Sequence, residues 1–276
     1  MSDALLLLPD FALIVLGWLI CRHTPLNRPV WDGAERLVYY VLFPALLFNS
    51  ILRYPLALGN TLPLAAGGLA VVAVGVAAAY ALHAWPGVDA RLHASGAQTA
   101  FRFNSYVALA MAERLEGTPG VAWMALIMSV CIPVCNVAAV AGLLCNLLGV
   151  RLPALADVTL ARMGAAALPL GLMAVGAGLQ FGALREGPKL AAALMSIRHA
   201  LMPAAALALI LATTLPRGQQ AVLMAFAAMP TASSAYVLAA RMGGNGPYTA
   251  GLVTLSTLIG MVALPAWLVL WRALSG

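Results

Sequence analysis

Nine long apolar runs, separated by short breaks of charged, proline or glycine residues, make up most of this 276-residue chain. They cover 4–21, 37–52, 61–84, 97–112, 118–150, 158–180, 190–214, 221–240 and 248–271. A helix needs about 20 mostly apolar residues to cross the roughly 30 Å hydrocarbon core of a bilayer, and most of these runs are near that length. The composition agrees, with 63% hydrophobic and 9% charged residues, against about 45–50% and about 25% in soluble domains. A water-soluble fold has too little interior to hide this much apolar surface, so the surplus must face lipid. The expected fold is an all-α integral membrane protein, and the breaks are too short to hold a second, soluble domain.

The formal charge of +6 does not point to nucleic acid, because the basic residues are scattered singly and form no patch with interleaved aromatics. Cys21, Cys131, Cys135 and Cys145 lie within apolar runs with no partner at zinc-ligand spacing, so neither a metal site nor a cofactor is expected. The chain opens Met-Ser-Asp with no basic region, and its first run ends at Cys21-Arg22 without a small-residue cleavage site. A retained first helix is expected. No HExxH, GxSxG, P-loop or intramembrane Asp pair occurs, and an enzyme is not expected.

The run 118–150 is too long for one helix, at about 50 Å if fully helical, and too short for two full crossings with a loop. It is either one strongly tilted helix or two shortened helices meeting at a turn, with Pro133, Asn136 and Asn146 as turn candidates. The positive-inside rule places the loop with Arg22, Arg28 and Arg36 in the cytoplasm and the N-terminus outside, in a bacterial inner membrane. Arg185, Lys189 and Arg198 belong on the same side, which requires that 118–150 cross twice and gives ten crossings. Arg151 and Arg162 then lie outside, against the trend.

Prolines and polar breaks show an internal repeat. Pro44 precedes Asn104-Ser105 by 60 positions and Pro169 precedes Pro230 by 61. The repeats are expected at 1–135 and 136–276, the second truncated at its first helix. Five crossings per half would make them inverted, with the paired broken helices of secondary transporters.

A helix is broken at membrane depth only where protein or a water-filled cavity satisfies its backbone. Pro230 removes a ladder donor, and Thr231, Ser233 and Ser234 add hydroxyls within a turn; the alternative is a plain kink with hydroxyls bonded back to the preceding turn. In the fourth run, Arg102, Asn104 and Ser105 interrupt an apolar helix. Arg102 is either a carboxylate partner or a snorkelling flank. Arg198 and His199, just before Pro203, are candidates for gating or proton coupling, with an interfacial pair as the favoured alternative. Asp10 is a candidate proton site, with a helix cap as the favoured alternative. His83 and His93 read as interface residues.

At these residues the chain resembles the auxin efflux carrier family, which includes plant auxin exporters and bacterial malonate and malate permeases. The resemblance rests on Phe43-Pro-Ala-Leu-Leu-Phe, Ile132-Pro-Val-Cys-Asn-Val, Leu147-Leu-Gly-Val-Arg-Leu-Pro, Pro169-Leu-Gly-Leu-Met-Ala-Val-Gly-Ala-Gly-Leu and, most specifically, Met229-Pro-Thr-Ala-Ser-Ser-Ala-Tyr-Val-Leu-Ala. It implies ten helices in two inverted repeats of five, similar to bile-acid symporters and sodium/proton antiporters, with the fourth and ninth helices broken and crossing at the substrate. By position it implies that Asn104 stands at the fourth-helix break and Pro230 with Thr231 at the ninth, while Asn49 and Ser50 add polar groups from the second helix. Two departures stand out. No proline accompanies Asn104, which leaves a broken and a continuous fourth helix both open, and the hydrophilic loop between helices five and six is missing.

The function expected is a secondary transporter of a small carboxylate working by alternating access among membrane lipids, with a homodimer left open. The alternatives are a truncated, non-transporting relative acting as sensor or scaffold, or a channel, although the charge rings of a charge-selective filter are absent.

Overall fold

A computed structural model describes residues 3–54, 58–131, 136–180 and 186–275. The described residues are helical with no strand. The helices are α1 (Asp3–His23), α2 (Arg28–Arg53), α3 (Leu58–Ala81), α4 (Ala90–Gly96), α5 (Ser105–Cys131), α6 (Asn136–Leu147), α7 (Ala154–Ala177), α8 (Pro188–Ala212), α9 (Arg217–Ala228), α10 (Ala235–Arg241) and α11 (Gly246–Ser275). Five stretches are long and apolar enough to span a bilayer: Arg28–Arg53, Thr61–Ala84, Ala154–Ala177, Pro188–Ala212 and Gly246–Ser275. Large apolar side chains stand exposed along them, among them Tyr40, Leu62, Leu155 and Val262, as lipid-facing positions require. Among the described residues the runs 97–112 and 221–240 are interrupted, at 101–104 and at 229–234, and Gly117 kinks the helix just before the run 118–150.

Helix starts follow local chemistry. Pro29 and Pro188 occupy first-turn positions where a missing N–H costs nothing. Gly187 precedes α8 at φ 73° and Gly117 kinks α5 at φ 61°, a region that only glycine enters without strain. Two helices widen into a π-turn just before a proline, at Val38–Leu42 before Pro44 and at Ile197–Leu201 before Pro203.

The chain divides into two compact units, each drawn from both halves of the sequence. The first comprises Met1–Ala66, Tyr106–Gly178 and Leu215–Val222. Within it, α1 lies on α7 so closely that a Cβ at Gly17 or Gly176 would collide with the carbonyl of Met173 or Ile14. Without a hydrophobic driving force between helices in lipid, small residues that permit such backbone approach replace it. At the C-terminal end of α2, the Asn146 amide donates to the carbonyls of Ile51 (2.8 Å), Leu52 (3.1 Å) and Tyr54 (2.8 Å). These are among the carbonyls that a helix leaves without partners at its C-terminus. Asn146 is therefore a cap inside α6 and not a turn residue, and Asn136 starts that helix; Pro133 lies outside the described residues.

The same corner orients the two halves of 118–150. The Tyr54 ring packs edge-on against Trp123, 5.7 Å between centroids, while the Tyr54 carbonyl holds Asn146. Trp123 precedes Cys131 by about 12 Å of helix and Asn146 follows Asn136 by about 15 Å. Were α6 to continue the direction of 118–131, Asn146 would lie more than about 25 Å from Trp123. Both meet Tyr54, so 118–131 and α6 run in opposite directions. A single tilted helix is excluded, and the two arms measure only about 21 and about 18 Å.

The second unit comprises Gly67–Ser105, Leu179–Thr214 and Leu223–Gly276. It contains α4, α8, α10, α11, most of α3 and the end of α9, together with both interrupted stretches 101–104 and 229–234.

Candidate functional site

In the second unit the two interruptions lie against each other. α4 is capped by Asp89, whose carboxylate accepts from the Leu92 N–H at 2.8 Å, and passes through a tight turn at Ala97–Ala100 before 101–104 unwinds. α9 ends at Ala228 and α10 starts at Ala235. Between them, the Asn104 N–H donates to the Pro230 carbonyl at 2.9 Å and the Thr231 hydroxyl donates to the Arg102 carbonyl at 3.0 Å. Gln98 reaches across to the Ala235 carbonyl at 3.1 Å, and the Phe103 ring packs on Phe226, 4.6 Å between centroids. Each stretch thus supplies a partner for an unwound backbone group of the other, as burial favours. The fourth segment is broken without a proline, at a place where the ninth offers its backbone partners.

The guanidinium of Arg102 donates to Gln98 Oε1 at 2.9 Å and to Ser234 Oγ at 3.1 Å. It sits half-buried beside the crossing with Ser105 and Ser233 also half-exposed, while Asn104, Pro230 and Thr231 are buried. The result is a small polar surface of amide, hydroxyl and guanidinium groups inside an apolar unit, suited to a planar anionic group.

Two prolines leave orphan carbonyls, and α8 and α11 answer both. Pro203 cannot serve the carbonyl of His199 four residues back, and the Trp267 indole N–H donates to it instead at 2.8 Å. Pro230 cannot serve Phe226, and Arg198 donates there at 3.3 Å, to Ala227 at 3.2 Å and to Met229 at 2.5 Å. Ser256 Oγ accepts the Thr231 N–H at 2.9 Å and lies 2.8 Å from His199 Nε2. Arg198 is 0% and His199 7% exposed, so both side chains are enclosed by protein and neither faces outward. The π-turn brings consecutive residues onto opposite sides of one break, Arg198 before Pro230 and His199, through Ser256, after it.

The remaining candidates lie in the first unit, where Asp10, Asn49, Ser50, Arg53, Glu113 and Arg114 help to line a cavity of about 310 Å³. Asp10 sits inside α1 and is 6% exposed, so it is not a helix cap. Its carboxylate accepts from Arg114 Nε and Nη2, both at 3.1 Å. Asn49 Oδ1 is buried without a hydrogen-bond partner among the described residues. At the cavity edge, Arg53 holds Asp157 at 2.9 and 2.7 Å. His93, in the second unit, is buried, with Nε2 2.8 Å from the Ala79 carbonyl.

Sequence reasoning missed Ser256, Gln98 and Arg114. Ser256 was visible as one of three hydroxyls in Thr254-Leu-Ser-Thr257, and an acid in an apolar helix, such as Asp10, implies a cation to pair with it.

Long apolar helices with two unwound segments bonded to each other define an integral membrane protein of the transporter type. The chain belongs to the membrane transport protein family of the auxin efflux carriers, whose pattern residues 91–268 match. No curated protein matches the chain. It is a membrane transporter.

Proposed function

We propose that the chain is a secondary transporter of a small carboxylate, with ten crossings in two inverted repeats and the anion bound where 101–104 meets 229–234. The observation that carries this reading is the pair of bonds Asn104 N–H to Pro230 O and Thr231 Oγ1 to Arg102 O. In transporters built from inverted repeats, discontinuous helices meet at the binding site and one bundle moves against the other. Arg102 would form a charge-assisted pair with the carboxylate, and Asn104, Ser105, Thr231, Ser233 and Ser234 would hydrogen-bond it. Asn49 and Ser50 line the cavity of the first unit and are proposed there as a polar contact surface for a small anion. The antiparallel course of 118–131 and α6 supports an even number of crossings there and an external N-terminus.

Uptake of radiolabelled malonate or malate by the full chain in proteoliposomes, with and without imposed pH and voltage gradients, tests the reading. Saturable flux is expected; absence of saturable flux for every small carboxylate would defeat it. A second reading, a non-transporting relative, is favoured by one observation: the arms of 118–150 are shorter than the roughly 30 Å hydrocarbon core. It predicts no flux from the folded protein.

A further inference from the structure

Arg198 is wholly buried, yet it forms no ion pair among the described residues. Its donors go instead to three backbone carbonyls and a thioether: Nε to Met229 O at 2.5 Å, Nη2 to Phe226 O at 3.3 Å and Ala227 O at 3.2 Å, and Nη1 to Met202 Sδ at 3.2 Å. A buried charge is tolerated only where other groups compensate it. The compensation here is the negative end of α9, whose last carbonyls lack intrahelical partners and carry the macrodipole. Pro230 cannot donate to Phe226 O, which besides Arg198 receives a long turn contact, 3.5 Å from the Met229 N–H.

Unwound carbonyls and half-helix C-termini are the groups with which discontinuous helices coordinate a sodium ion or proton in transporters. We propose that Arg198 is a covalently tethered cation in that subsite: its guanidinium holds the carbonyls of Phe226, Ala227 and Met229 that an inorganic cation would otherwise take. Two consequences follow, of which the second rests on the transport reading above. The folded state needs no alkali cation, and any carboxylate flux runs equally well without sodium, the fixed positive charge next to Pro230 favouring an anion at the crossing. Arg198 acts through the break and is a positioning residue.

The test compares the purified full chain in sodium, potassium and N-methylglucamine chloride at equal ionic strength. The wild-type unfolding midpoint is expected to be the same in all three within about 1 °C. Arg198→Ala is expected to unfold at lower temperature and to regain at least half of the loss with millimolar methylguanidinium, which fits the vacated carbonyls. A control variant at a lipid-facing position, Val262→Ala, should not respond to methylguanidinium. If Arg198→Ala does not fold, Arg198→Lys and Arg198→Met serve: the proposal stands if lysine, which keeps the charge, restores a folded protein and methionine does not. A sodium-dependent rise in the wild-type midpoint overturns the proposal, and so does an Arg198→Ala protein that is as stable as wild type or indifferent to methylguanidinium. In the flux arm, equal malonate uptake in sodium and N-methylglucamine supports it and sodium-dependent uptake overturns it. Zero carboxylate flux in every medium defeats the transport reading, while the midpoints still decide the fate of the tethered cation.

Discussion

The backbone N–H of Asn104 donates to the carbonyl of Pro230 at 2.9 Å, so two interruptions 126 positions apart meet main chain to main chain. Such a bond is insensitive to side-chain identity, whereas the companion bond from Thr231 Oγ1 to Arg102 O is not. Thr231→Val keeps the shape and leaves the Arg102 carbonyl without that donor, which costs about 1–3 kcal/mol. A lower unfolding midpoint and at least tenfold slower carboxylate uptake are expected, read by thermal denaturation and by proteoliposome flux. Thr231→Ser should restore both.

Asn146 serves three carbonyls at the end of α2. Asn146→Asp cannot donate, and places a carboxylate against those oxygens. It should destabilise more than Asn146→Ala, for which about 1–3 kcal/mol is expected, and thermal unfolding in detergent gives the order.

The opposed arms of 118–150 predict topology. Single cysteines at the exposed positions Thr118 and Leu148, in a background lacking the native cysteines, should react with a membrane-impermeant maleimide from the same side. Labelling from opposite sides would mean a single crossing.

The contact of α1 with α7 admits no side chain at Gly17 or Gly176, because a Cβ would meet the carbonyl of Met173 or Ile14. Gly17→Val or Gly176→Val should cost about 1–3 kcal/mol as overpacking. Gly33, beside which the same test finds open space, tolerates alanine with little change in the unfolding midpoint.

Much of the architecture was legible because lipid imposes long apolar helices, and only proline and polar residues punctuate them. Pro230 marked its break correctly. Asn104 marked one without proline, and the reason lay outside its own segment: the partners for its backbone are on the ninth. The backbone partners of Arg198 were hidden because nothing local to it reveals that Pro230 has orphaned Phe226 O, 28 positions away. Asn146 looked like a turn residue because its service to α2, about 95 positions away, is invisible to spacing. Asp10 was misread as a cap, since its partner Arg114 stood in what read as a loop. Tertiary partners, not local patterns, decided each of these.

The most direct test of the central claim is substrate protection at the crossing. Cysteine introduced at Ser234, whose hydroxyl accepts from Arg102, is reacted with a methanethiosulfonate reagent in a background lacking the native cysteines, with and without saturating malonate. The account predicts at least a fivefold slowing of modification by malonate and none by its uncharged diamide. Equal rates with and without every small carboxylate tried would contradict it.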